Sequence, residues 1–283
     1  MTPAPFIVGV GRSGTTLLRL MLDAHPLLAI PGETHFLHQL AKFGCESREQ
    51  FLEIVTGSDT WDNLAVSAND LGAALEAQSP FSLPDAIRAF YRLYAARQGK
   101  PRWGDKTGFY LRSMTAIQTL LPEAHFIHVV RDGRDTALSR QGLWFGPGDD
   151  YAALAKFWVD GIEAARAQAP ELAHYTEVRF EALVTDPRGT LERICAGLDL
   201  PFDPATLDYH LLAPGRLAEY KRPFGPADRT PADIETFMSI HSRVQTPLDE
   251  TRIGRWRSEM KREDREAFES VAGPLLRELG YET

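Results

Sequence analysis

The sequence predicts an α/β fold, a central and mostly parallel sheet flanked by helices. Two apolar runs carry that prediction, residues 6–10 (FIVGV) and 125–130 (HFIHVV). Each passes directly into glycine-rich or charged residues and then into a helical pattern. Strands alternating with helices imply parallel crossovers. Ligands of such sheets bind at the carboxyl ends of the strands, where GVGRSGTT and RDGRDTALSR both fall.

The remaining elements follow in order. After Gly14, residues Leu17, Leu18, Met21 and Leu22 recur at helical spacing until His25-Pro26 ends the helix. A short apolar run at 27–30 precedes Pro31-Gly32. Residues 34–98 read as four helices, near 34–43, 48–56, 68–77 and 84–97, separated by Gly, Asn and Pro signals. An extended stretch at 103–107 and a helix near 109–120 lead to the strand at 125–130. A helix over 151–167, an alternating strand at 175–180 and a helix at 187–197 come next. Residues 199–250 are rich in Pro, Asp and Gly and read as loops with short helices, before an amphipathic helix at 262–279. The expectation is one domain over 1–283 with a helical insert at 34–98.

At 283 residues, 43% hydrophobic and 25% charged, the chain reads as a soluble globular protein. Its net charge of −8 argues against a general nucleic-acid binder, which needs a basic face. Cys45 and Cys195 lack metal-type spacing and read as reduced structural thiols. With no leader pattern and no run of apolar residues long enough to span a bilayer, the expected setting is cytoplasmic.

The loop after the first strand is built for an anion. Gly9, Gly11 and Gly14 let the chain turn sharply and aim backbone N–H groups, and the following helix adds its positive end. Thr15 and Thr16 add hydroxyl donors and Arg12 a fixed charge. The Gly-Lys-Ser/Thr ending of a kinase phosphate loop is missing, and the strand at 125–130 ends in Arg131 rather than a metal-binding Asp. A single 5′ phosphate beside a transferred group fits such a loop better than a magnesium triphosphate.

GVGRSGTTLLRLMLDAHP resembles the 5′-phosphosulfate loop of sulfotransferases, most closely that of the tyrosylprotein branch. HVVRDGRDTALS resembles the family's 3′-phosphate motif, and VRFEALVTDPRGTL and LLRELGYE match further. The resemblance implies a P-loop-type sulfotransferase fold and 3′-phosphoadenosine-5′-phosphosulfate (PAPS) as donor, with adenosine 3′,5′-bisphosphate (PAP) as product. It assigns Arg12, Ser13, Gly14, Thr15 and Thr16 to the 5′-phosphosulfate, and Arg131 and Ser139 to the 3′-phosphate. TRIGRWRSEM resembles the family's late basic loop and adds Arg255, with Arg257 and Trp256 beside it. Phe180 stands where relatives have tyrosine.

For the chemical step, the resemblance places Glu33, in PGETHF, at the family's general base, and Lys106, in GDKTGF, at the lysine beside the transferring group. On the residues alone, His35 and His38 are rival bases, and Lys106 could instead pair with Asp105. A salt bridge to a neighbouring Asp is the alternative for Arg131. The expected reaction is metal-free sulfuryl transfer to a hydroxyl of a small-molecule, glycan, lipid or peptide acceptor, with Glu33, Lys106 and Arg12 at the transfer centre. The alternatives are an ATP-dependent kinase of a small metabolite and a non-catalytic nucleotide-binding module. Residues 36–100 and 205–250 are expected to shape the acceptor pocket.

Overall fold

The computed structural model describes residues 1–143, 146–220, 239 and 242–283. Four parallel strands form its central sheet: β1 (Ala4–Val8), β4 (Asp105–Lys106), β5 (Ala124–Val130) and β6 (Tyr175–Arg179). Their order is β4-β1-β5-β6, so the first strand lies inside the sheet and is buried on both faces, as its unbroken apolar run requires. A separate parallel pair joins β2 (Leu28–Ala29) to β3 (Arg102–Trp103).

Successive side chains divide between the faces of the sheet. Phe6 and Phe126, aligned in register, belong to one core. Ile7 and Ile127 belong to the other. The first core is covered by α5 (Leu83–Arg97), α6 (Met114–Leu120), α8 (Tyr151–Gln168) and the long C-terminal helix Arg262–Glu278. The second is covered by α1 (Thr15–Asp23), α9 (Phe180–Thr185) and α10 (Pro187–Gly197). This is the α/β architecture, a parallel central sheet flanked by helices, that the sequence predicts. Among the described residues no helix is long and apolar enough to cross a membrane.

The insert at 34–98 contains the four expected helices: α2 (Phe36–Phe43), α3 (Arg48–Thr56), α4 (Ala68–Glu76) and α5. Three of them begin at a serine, Ser47, Ser67 or Ser82, whose side chain accepts a backbone N–H three residues on. That local cap explains why their starts are legible in the sequence.

Three boundaries differ from expectation. The first strand ends at Val8 because Gly9 donates its N–H to the Gly108 carbonyl (3.1 Å), and the chain then turns. The stretch 103–107 divides at Gly104, where a Cβ would lie 2.7 Å from the Pro5 ring and carbonyl. Residues before it pair with β2 and those after it join the main sheet. The helix expected at 109–120 is a 3-10 turn, Gly108–Arg112, followed after Ser113 by α6. Within 199–250 the described residues form loops with short helices, as expected, among them the 3-10 turns Pro204–Thr206 and Ser242–Gln245 and the short α-helix Ala213–Leu217. Residues 221–238 and 240–241 of the expected acceptor region lie outside the described residues.

Candidate active site

All four strands of the main sheet end on one edge, and the site is built there. The loop after β1 turns on two positive-φ residues, Arg12 (φ 77°) and Gly14 (φ 105°). Gly14 precedes α1, and a Cβ on it would sit 2.4 Å from the Phe180 ring, so glycine is required twice over. The Ser13 hydroxyl is buried and has no hydrogen-bond partner among the described residues. A buried polar atom of this kind is costly unless something bonds it.

The structure joins this loop to the motif after β5. Arg12 Nε donates to Ser139 Oγ at 3.2 Å and to the Ser139 carbonyl at 3.3 Å. Arg131 donates to the Arg252 carbonyl at 2.7 Å and to the Arg12 carbonyl at 3.4 Å, and its guanidinium lies 4.4 Å from the Phe180 ring centre. Arg131 is also 3.9 Å from Asp135, while its buried Nε has no partner among the described residues. Arg134 pairs with Asp132 and Glu269. Asp135 instead accepts the backbone N–H groups of Gly254 and Trp256, tying down the late basic loop.

These cations crowd one another. Burial, then the charges of Arg131, Arg140 and Arg243, push the Arg12 guanidinium down to about 10. Burial likewise lowers Arg131 and takes Arg140 to about 10. Cations held together against their own repulsion form a field for a multiply charged anion. The residues therefore fit a phosphate-bearing ligand.

Two cavities adjoin at the loop and share Arg12, Thr15 and Thr16. One, about 100 Å³, is walled by Arg131, Ser139, Phe180 and Arg255. The other, about 310 Å³, contains Glu33 and Lys106 with Phe109, Leu111 and Phe157. Arg255 reaches the smaller cavity, although its guanidinium is paired with Glu259 at 2.8 Å. Its neighbours do not reach it. Trp256 is buried against Arg134, 3.6 Å from the guanidinium to the ring centre, and Arg257 pairs with Glu282.

Glu33 is held by its neighbours in sequence. Thr34 points inward, its hydroxyl donating to Asp105 (2.8 Å) and its N–H to Thr107 Oγ1 (3.0 Å). Glu33, before it, lines the larger cavity, and His35, after it, meets Glu33. Lys106 Nζ donates to Glu33 Oε1 at 2.8 Å, and His35 Nε2 meets Glu33 Oε2 at 3.1 Å. The predicted alternative partner of Lys106, Asp105, is fully buried and accepts from Thr34 and Tyr91 instead. Burial raises Asp105 to about 6.

Burial by itself would raise the Glu33 carboxyl, but the Lys106 ammonium and His35 outweigh it and hold the group well below the usual carboxylate range. Lys106 is raised by Glu33 against its own burial. His35 is raised to about 9 despite burial, by hydrogen bonds to Asp59 and Glu33. At neutral pH Glu33 is therefore a carboxylate and both partners are cations. His38 bonds Ser113 Oγ at 2.7 Å, away from Glu33.

Sequence reasoning missed Arg140, Arg243, Arg252 and Asp59. Arg140 and Arg252 lie within the basic stretches RDGRDTALSR and TRIGRWRSEM, so their position there was a usable signal. Arg243 and Asp59 sit in no pattern.

A model of the Sulfotransferase family matches residues 3–204. Protein-tyrosine sulfotransferase A of Caenorhabditis elegans is 27% identical, covering 99% of this chain and 68% of that protein. Nodulation protein NoeE of Sinorhizobium fredii is also 27% identical, covering 100% of this chain and 67% of that one. The sulfotransferase domain of the Synechococcus PCC 7002 olefin synthase superposes with a TM-score of 0.60 at 23% identity, covering 99% of this chain and 95% of that chain. At that identity the likeness is one of fold.

Proposed function

The chain belongs to the sulfotransferase family, and from that premise we propose that it moves the sulfuryl group of PAPS to an acceptor hydroxyl, with Glu33 as proton acceptor. The observation that carries this reading is the pair of cavities meeting at Arg12, one lined by cations and the other holding the Glu33–Lys106 pair. Residues 1–283 act as one catalytic domain.

Arg131 and Ser139, with Arg255, hold the 3′-phosphate. Arg12, the backbone of Ser13 and Gly14, and the Thr15 and Thr16 hydroxyls hold the 5′-phosphosulfate, so the sulfuryl group points from the small cavity into the larger one. Sulfuryl transfer needs the attacking and leaving oxygens in line and fixed donors on the developing charge. Lys106 and Arg12 supply those donors. As the acceptor oxygen bonds to sulfur and the bond to the bridging phosphate oxygen breaks, the acceptor proton passes to Glu33 and the negative charge remains on the phosphate. The acceptor oxygen becomes acidic as its bond to sulfur forms, so a carboxylate of low basicity can receive the proton. The apolar wall of Phe109, Leu111 and Phe157 supports an acceptor whose hydroxyl is carried on an apolar group.

Calorimetry with PAP and, separately, with ATP and magnesium tests the donor. Tight PAP binding is expected; ATP–magnesium binding without PAP binding would replace this reading with a kinase. A screen of hydroxyl acceptors with sulfur-labelled PAPS then identifies the acceptor.

A further inference from the structure

We propose that His35 is a positioning residue: as an imidazolium bridging Asp59 and Glu33, it fixes the plane of the Glu33 carboxylate against Lys106. This rests on Glu33 being the proton acceptor. Asp59 Oδ1 is 2.8 Å from His35 Nδ1, and His35 Nε2 is 3.1 Å from Glu33 Oε2. Lys106 holds the other carboxylate oxygen. The four groups form a row of alternating charge that ends in the larger cavity, and the last two line it.

The backbone is arranged to make this contact. His35 has φ 53° and ψ −38°, outside the left-handed well that non-glycine residues with positive φ normally occupy. It precedes α2 without making a side-chain cap, so capping does not account for the conformation. Thr34 is anchored inward by Asp105 and Thr107, and Thr60 Oγ1 donates to the Thr34 carbonyl at 3.1 Å, bringing the Asp59 turn against the site. The Phe109 ring meets the imidazole edge-on at 4.9 Å. Among the described residues, the charged groups facing His35 are Asp59 and Glu33, with Lys106 beyond Glu33; His38 shares the Phe109 ring but bonds Ser113.

Without the imidazolium, Glu33 Oε2 loses its second anchor and the carboxylate can rotate about the Lys106 contact. A small displacement of this kind costs roughly 10–100-fold in rate. The protonation requirement gives the idea a sign. A positioning imidazolium is needed charged, so activity falls as pH rises through about 9. A histidine base is needed neutral, so activity would rise through the same value.

The experiment measures release of labelled sulfate from PAPS with water as acceptor, which needs no identified substrate, across pH 5–10. Its variants are Glu33→Gln, His35→Ala, His35→Lys and Asp59→Asn, and PAP affinity is measured alongside as a check on folding. Titration of the His35 ring by NMR is followed in the wild type and in Asp59→Asn. Expected are a roughly 10–100-fold loss in His35→Ala with PAP affinity kept, partial rescue in His35→Lys, and a shift of both the alkaline limb and the ring titration in Asp59→Asn towards the ordinary histidine value of about 6.5. A wild-type rate in His35→Ala, or activity that rises through the ring's titration, overturns the proposal. A wild-type rate in Glu33→Gln instead unseats Glu33 as proton acceptor, whatever His35 does.

Discussion

Lys106 Nζ and Glu33 Oε1 lie 2.8 Å apart at the edge of the sheet, a cation and an anion 73 residues distant in sequence and both facing the larger cavity. Their pairing explains why each keeps its charge despite burial. It also places the proposed proton acceptor and the proposed charge-stabilising donor within one hydrogen bond of each other.

Replacing Glu33 by Gln keeps the shape of the side chain and removes the proposed acceptor of the proton. Turnover should fall by about 10²–10⁴-fold, with PAP affinity unchanged by calorimetry. A loss of both together would assign Glu33 to nucleotide binding instead.

Replacing Lys106 by Met removes the largest influence holding the Glu33 carboxyl down. Turnover should drop by roughly 10²–10³-fold. Glu33 must be ionised to accept a proton, and its folded-state value rises in the variant. The acid limb of the residual activity therefore moves to higher pH, which a pH–rate profile reads directly.

Arg131 and Ser139 are expected to govern nucleotide affinity rather than chemistry. Arg131→Ala should weaken PAP binding by about 2–5 kcal/mol, the usual cost of removing one partner of a buried charged contact. Arg131→Lys should recover only part of this, because an ammonium cannot reproduce the planar guanidinium fork. Titration calorimetry at several salt concentrations separates these effects from general electrostatic attraction.

Gly14→Ala should be severe. The added methyl would meet the Phe180 ring at 2.4 Å, at a φ of 105° that L side chains rarely adopt. A destabilisation of about 1–3 kcal/mol is expected from the backbone conformation alone, together with loss of the thermal stabilisation that PAP gives the wild type. Differential scanning fluorimetry with and without PAP measures both.

His35 also makes stability depend on pH. Its folded value, about 9, lies above the ordinary histidine value of about 6.5. The stabilisation it contributes is therefore complete below about 6.5 and is lost as pH rises through about 9. Urea unfolding of the wild type and His35→Ala should show a difference that is larger at pH 6 than at pH 10.

Much of this site was legible residue by residue. The loop GVGRSGTT announces an anion site through its glycines and hydroxyls, and RDGRDTALS lies where a parallel sheet puts its ligands. Helices that begin at Ser47, Ser67 and Ser82 follow from caps that act over three residues. By contrast, Asp59 carries no local signal, and Trp256 stands between two arginines of its own loop yet packs on Arg134 from another element.

The sequence by itself determined the elements and the chemical types at the sheet edge, because propensity, capping and alternation act between near neighbours. Tertiary structure decided which groups meet. Arg12 reaches Ser139 across 127 residues because β1 and β5 are adjacent and parallel, with both carboxyl ends on one edge. Lys106 meets Glu33 rather than pairing with Asp105 because β4 docks on the outer side of β1, turning one of two consecutive residues into the core and the other toward the cleft. Register and face are set by burying the apolar sides of distant strands together, and no short stretch of sequence contains that information.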